Sequence, residues 1–238
     1  MDPILILTRP EPEARAFAAE VDAALGRRLD WLHAPAFVVE DVDFDPGGRP
    51  GGVLFTSANA VARAPAGWRG LPAFCVGDRT AEAARAAGFA AVSAGGDAED
   101  LVAMVIAARP DAPLVHLSGE ETRGDLSGRL RAAGIGARRV IVYRQRPLAP
   151  GEDLRRVASS TRPAVAAVFS PRSASVLTAV DWTAPLHGVA MSPAVAEALA
   201  AVPCRTMSES SRPDRAAMLD ATLLALGGTP LEGRGRAG

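Results

Sequence analysis

A chain of 238 residues, 48% hydrophobic and 22% charged, has the composition of a globular protein and the length for one large domain or two small ones. Its net charge of -1 gives no general pull toward nucleic acid or an anionic membrane, and neither is expected as a partner. No apolar run nears the roughly 20 residues a spanning helix needs, and "MDPILILTRP" lacks the basic start and apolar stretch of a signal peptide, so a cytoplasmic location is expected.

Short apolar runs alternate with helical patterns along the chain, which predicts βα units and parallel sheet. "ILILT" is the first strand, and the helix after it carries prolines and acids in its first turn and closes on Gly26. "GVLFTS" leads into "ANAVARA", a helix that Pro65 cuts short. "LPAFCVG" leads into "DRTAEAARAAGF", and a further helix, "AEDLVAMVIAARP", follows Gly95 and Gly96. "PLVHLSG" precedes the helix "EETRGDLSGRLRAAGI", and the strand "RRVIVYRQRP" comes next with no helix directly behind it. The same order resumes with "AVAAVFS" and "PRSASVLTAV", then "LHGVAMS" and "PAVAEALAAV", and ends with the helix "PDRAAMLDATLLALGG".

The resumption is a repeat. "FTSANA" at Phe55 falls on "FSPRSA" at Phe169, "TAEAA" at Thr80 falls on "VAEAL" at Val195, and "LTRPEPEARAFAAEV" corresponds loosely to "HLSGEETRGDLSGRL" at about the same separation. Two similar α/β lobes are expected. Residues 30–44 and 138–148 are β-rich and fall outside the repeat; paired with each other they make a two-stranded β-ladder between lobes. That arrangement assigns residues 1–29 and 149–228 to one discontinuous lobe and 45–137 to the other, with a disordered glycine-rich tail at 229–238. Ligands of open parallel sheets sit beyond the carboxyl ends of the strands, so the active-site cleft is expected between the lobes.

Several standard chemistries are excluded by the residues themselves. All 26 basic residues are arginines, so the lysine of a phosphate-binding P-loop is missing, and no GxGxxG follows a strand. His33, His116 and His187 are scattered without ligand spacing, no GxSxG supplies a serine nucleophile, and Cys75 and Cys204 read as small buried hydrophobes. What remains is a set of strand ends rich in small and hydroxylated residues: Thr8 and Arg9; Thr56, Ser57, Ala58 and Asn59; Gly77 and Thr80; Ser118 and Gly119; Ser170, Arg172 and Ser173; Ser192 and Val195. Each precedes a helix whose unpaired N–H groups and positive dipole end suit a carboxylate or phosphate. Ordinary N-capping is the alternative for any single corner; six around one cleft point to a multiply anionic ligand. Tyr143, the sole tyrosine, lies on the connecting strand, where a phenol can give and take a proton, though strand propensity alone also explains it. Arg9, Arg123 and Arg172 are candidate anion contacts among many solvated arginines.

In order along nearly the whole chain, "ILTRP", "LFTSANAV", "CVGDRTAEAARAAGF", "LSGEETRGDLSGRLRAAGI", "VIVYRQ", "FSPRSASV" and "MSPAVAEAL" resemble the uroporphyrinogen-III synthase family. The resemblance implies two flavodoxin-like lobes and an enzyme without metal or organic cofactor. It implies the substrate hydroxymethylbilane, dehydrated and cyclised with inversion of its D ring, and a transient encounter with the preceding deaminase. It also implies that Tyr143 is the acid, that Ser57 and Thr80 are hydroxyls of one lobe's site, and that Ser170 is the corresponding serine of the other. Val195 departs from the pattern, standing where the family often has threonine. A monomer is the expected state. The competing reading is a non-catalytic two-lobed binding or sensor module for an anionic metabolite.

Overall fold

The computed structural model describes residues 2–122 and 124–227. The tail expected to be disordered, 229–238, and Arg123 lie outside the described residues. The chain divides into two compact units, one formed by the residues up to Val38 and those from Pro147 onward, the other by Val39–Arg146.

The first unit opens with β1 (Ile4–Leu7), α1 (Glu11–Leu25) and β2 (Trp31–His33). The chain then runs through β3 (Phe37–Asp41) into the second unit: β4 (Gly52–Phe55), α2 (Ala58–Val61), β5 (Pro72–Cys75), α3 (Asp78–Ala86), β6 (Ala90–Ser93), α4 (Ala98–Ala108), β7 (Leu114–Gly119), α5 (Leu126–Ala132) and β8 (Ala137–Pro147). It returns with α6 (Glu152–Ala158), β9 (Ala164–Val168), α7 (Ser175–Thr178), β10 (Leu186–Ala190), α8 (Pro193–Ala198), β11 (Thr206–Glu209) and α9 (Arg215–Ala225).

The first unit's sheet has the order β2-β1-β9-β10-β11 and is parallel throughout, the flavodoxin-like winding. In the second unit β8-β7-β4-β5-β6 run parallel in the same spatial sense, with β3 added beyond β8. The repeat explains the match: β4, β5 and β6 stand where β9, β10 and β11 stand, while β7 and β8 take the places of β1 and β2. The second unit is thus the same winding with its first two strands moved to the end of the segment.

Burial follows from the winding. Central strands covered on both faces have to be apolar along their whole length, and β4, β7 and β9 are buried at every position. Phe17 of α1 meets Phe169 edge-to-face at 5.0 Å in one core, and Phe55 meets Phe89 at 5.3 Å in another. α1 ends where Gly26 adopts φ 66 and returns its N–H to Ala23, a left-handed cap that glycine takes without a Cβ clash.

Three elements had no counterpart in the sequence pattern. β6 and β11 are four-residue edge strands with mostly exposed or half-buried side chains, so they carry no apolar run. α6 is a seven-residue helix in a charged stretch whose buried residues are only Leu154 and Ala158. The two segments expected to form the ladder do pair, as β3 beside β8, with the Val42 N–H on the Val142 carbonyl at 3.1 Å. Beyond that pairing, β2 joins the first unit's sheet, and β8 is also paired with β7 from Ala137 to Tyr143.

Candidate active site

In the second unit the polar corners follow β4, β5 and β7. Ser57 caps α2, its Oγ accepting the Asn59 N–H at 3.2 Å, so that hydroxyl is spent on the helix start. Ala58 and Asn59 begin the helix, which Pro65 helps to keep to a single turn. Gly77 caps α3 through its backbone alone, and Thr80 is buried in the first turn with its N–H on the Gly77 carbonyl.

Tyr143 reaches this corner through a slip in the β7/β8 ladder. Ser118 pairs with Ile141, but Gly119 pairs with Tyr143, so Val142 is the extra residue of a bulge. In a regular pleat Val142 and Tyr143 face opposite sides. Here both belong to the core cluster that also holds Ala60 and Val61 of α2. Gly119 makes room for the ring: a Cβ built on it lies 2.7 Å from the Tyr143 Cζ and 3.0 Å from its hydroxyl. Tyr143 is 8% exposed.

A polar layer braces the end of β7. Arg139 donates from Nε to Ser118 Oγ at 2.8 Å and from a terminal nitrogen to the Gly119 and Glu120 carbonyls at 2.7 and 2.6 Å. This fixes the backbone against which the phenol rests. Two residues before Ser118 on β7, His116 is buried, with Nε2 at 3.2 Å from Thr56 Oγ1. Burial, helped by the nearby Arg139 charge, pushes its pKa down to about 4, so it is neutral at physiological pH. Arg63 donates from Nε to Asp41 at 2.6 Å and from a terminal nitrogen to the Asn59 carbonyl at 2.8 Å, with its guanidinium carbon 5.6 Å from the Tyr143 ring centre.

In the first unit the corners follow β1, β9 and β10. Thr8 is buried, its Oγ1 without a hydrogen-bond partner among the described residues. The Arg9 guanidinium stacks over Phe169 at 4.1 Å, and the Arg9 carbonyl lies 2.8 Å from His33 Nε2. Ser170 and Ser173 form a capping box, each side chain bonded to the other's backbone N–H, with their hydroxyls 3.0 Å apart. Arg172 lies over Phe37 at 5.5 Å. Ser192 is the extended cap residue of α8 and makes no side-chain cap bond. Val195 is buried in the core with its N–H on the Ser192 carbonyl, so it stands in the packing of that corner.

Tyr143, Gly119, Ser57, Ala58 and Asn59 are therefore gathered at one end of the second unit, and Thr8, Arg9, Ser170, Arg172 and Ser173 at strand ends of the first. Sequence reasoning passed over His116, Arg139, Arg63 and Asp41. An arginine's partners are set by register and turn geometry, and among 26 basic residues no spacing singles out two of them.

The family model described as uroporphyrinogen-III synthase HemD matches residues 33–220. The crystal structure of a uroporphyrinogen-III synthetase from Helicobacter pylori 26695 matches with a TM-score of 0.60 at 16% identity, covering 95% of this chain and 99% of that one. At that identity the likeness is one of fold. A mutant uroporphyrinogen III synthase from the extremely thermophilic bacterium Thermus thermophilus aligns over 94% of this chain and 99% of its own at 16% identity, with a TM-score of 0.47. No curated protein sequence matches significantly.

Proposed function

Because the chain belongs to the uroporphyrinogen-III synthase family, we propose that its reaction is carried by Tyr143, with the strand-end corners of each unit taking carboxylate arms of the substrate. Enzymes of this family are cyclising lyases of porphyrin and heme biosynthesis, and this chain is one of them. They release water from linear hydroxymethylbilane and close it to uroporphyrinogen III with the D ring inverted.

The chemistry asks the protein mainly for orientation and one proton. Tyr143 gives its phenolic proton to the terminal hydroxyl, the C–O bond breaks with its electron pair, and water leaves an azafulvenium cation beside a phenolate. Left free, that electrophile closes without inversion. Held so that the substituted α-carbon of ring D attacks, it passes through a spiro-pyrrolenine, reopens on the other side and closes inverted. Loss of the last α-proton restores the pyrrole and returns a proton to Tyr143, so the net product beside the macrocycle is one water. Orientation of this kind is worth several kcal/mol, and a placed acid about a further hundredfold.

The arms are acetates and propionates, which suits helix starts presenting N–H groups. At the second unit's corners these are Ser57, Ala58, Asn59, Gly77, Thr80 and Gly119; at the first unit's they are Thr8, Arg9, Ser170, Arg172, Ser173, Ser192 and Val195. The capped serines contribute the shape of each corner, their hydroxyls being committed to the backbone. What supports the assignment of Tyr143 is the bulge that turns the sole tyrosine against Gly119, at the carboxyl end of β7. The test is incubation of purified protein with hydroxymethylbilane, followed by oxidation and chromatography of the porphyrins. The III isomer is expected; the I isomer alone refutes the assignment.

As working conditions the same reading takes a cytoplasmic monomer that receives its substrate from the preceding deaminase. No described helix is long and apolar enough to cross a membrane. Light scattering at micromolar concentration, with and without the deaminase, tests both statements.

A further inference from the structure

The α2 helix is a single turn, and this leaves one of its carbonyls in need of a donor. The Asn59 carbonyl would take the Arg63 N–H in a longer helix, but that N–H bonds Ala60 instead as the chain turns toward Pro65. The Arg63 side chain folds back and supplies the missing donor from its own guanidinium at 2.8 Å. The rest of the fork is occupied as well: Nε lies 2.6 Å and a terminal nitrogen 2.5 Å from the same oxygen of Asp41, the last residue of β3.

With bonds to α2 on one side and β3 on the other, the guanidinium has little freedom to turn. Its carbon stands 5.6 Å from the centre of the Tyr143 ring on β8, within the range of a cation–π contact. The Arg63 side chain is 20% exposed while that of Asp41 is 79% exposed, so water screens the carboxylate more than the cation. Gly119 meets the hydroxyl end of the phenol. One contact therefore sets how far the phenol extends, and the other sets how its ring is held.

We propose that Arg63 is the positioning residue of the proton donor: clamped between Asp41 and the Asn59 carbonyl, it holds the Tyr143 ring in the orientation from which the phenol protonates the leaving hydroxyl. This rests on the assignment of Tyr143 above. Arg63 acts through Tyr143 and touches no substrate, so its removal costs turnover and leaves substrate affinity alone. Lysine is a poor replacement, since one ammonium cannot fill two directions of the fork while lying flat to the ring.

The experiment uses the full chain in four forms: wild type, Arg63→Met, Tyr143→Phe and the double variant. Arg63→Met keeps an unbranched apolar stem, and circular dichroism establishes that each form is folded. Because the chain has one tyrosine, ¹³C-tyrosine labelling gives a single set of ring signals. Arg63→Met is expected to shift and broaden them; unchanged signals overturn the contact whatever the kinetics show.

On hydroxymethylbilane, Arg63→Met is expected to lower kcat about tenfold with KM within about twofold, and the double variant to be no slower than Tyr143→Phe. Arg63→Lys is expected to recover only part of the loss, and Asp41→Asn to reproduce a smaller share of it. Losses that multiply in the double variant overturn the inference, because Arg63 then acts independently of the phenol. If Tyr143→Phe is impaired and Arg63→Met is not, Arg63 alone is refuted. If Tyr143→Phe keeps the wild-type rate and yield of the III isomer, the assignment of Tyr143 itself falls and takes the role of Arg63 with it.

Discussion

The two units share one winding but treat the same strand junction differently. In the first, β1 and β2 pair in unbroken register from Leu5 with Trp31 to Leu7 with His33. In the second, β7 and β8 occupy the corresponding places and slip by one residue, bringing Tyr143 opposite Gly119. Thr8 and Ser118 are both buried hydroxyls near these junctions, yet Arg139 bonds the second while the first has no partner among the described residues. The Arg9 guanidinium covers Phe169 in the first unit, whereas Gly119 in the second leaves space that the phenol fills. A duplicated scaffold thus keeps one copy regular and bends the other where Tyr143, the proposed proton donor, lies.

That contrast breaks most sharply at Tyr143. Tyr143→Phe keeps the ring in its slot and removes the proton, so kcat for the III isomer should fall about a hundredfold with little change in thermal midpoint, measured by isomer chromatography beside calorimetry. An equal loss from Thr8→Val would mean that the regular junction carries comparable chemistry.

The next effect concerns pH. Folded His116 has a pKa near 4 against the ordinary 6.5, so between those values the unfolded chain holds a proton that the native state lacks. Stability is therefore full above about pH 6.5 and is lost as pH falls toward 4, by about 3 kcal/mol in all. His116→Gln should flatten this part of the pH dependence in urea titrations, whereas changes at His33 in the first unit should leave it in place.

Gly119→Ala sets a methyl where the phenol lies and needs the ring to move. Turnover should drop about tenfold, in proportion to the 1–3 kcal/mol that overpacking costs. Unchanged kinetics would show that the ring has another resting place. Ser170→Ala, in the first unit, removes one half of a capping box and should lower stability by about 1 kcal/mol in a denaturant melt. Its effect on kcat should be small, since that hydroxyl is already spent on the backbone.

Much of the scaffold was legible beforehand because it rests on local rules. Buried parallel strands have to be apolar throughout, as in "AVAAV" and "GVLF", and helix starts demand Pro, Ser or Asp, as at Pro12, Ser57 and Asp97. The edge strands β6 and β11 were not legible, because strands with one neighbour need little burial and carry little signal. The corners were visible as positions but not as states: capping was one of two readings open for Ser170, and nothing local says that Val195 belongs to the core.

Sequence alone thus determined two copies of an α/β winding, the family, and the single tyrosine available as an acid, since composition, period and repeat are properties of the chain read in one dimension. Tertiary structure decided which way that tyrosine points and what holds it. A bulge arises only when two strands are laid side by side, and it turned Tyr143 to the face of Val142. The partners of Arg63 and Arg139 were decided there too, because Asp41 and Gly119 are distant from them in sequence and become neighbours only through the order of strands in the sheet.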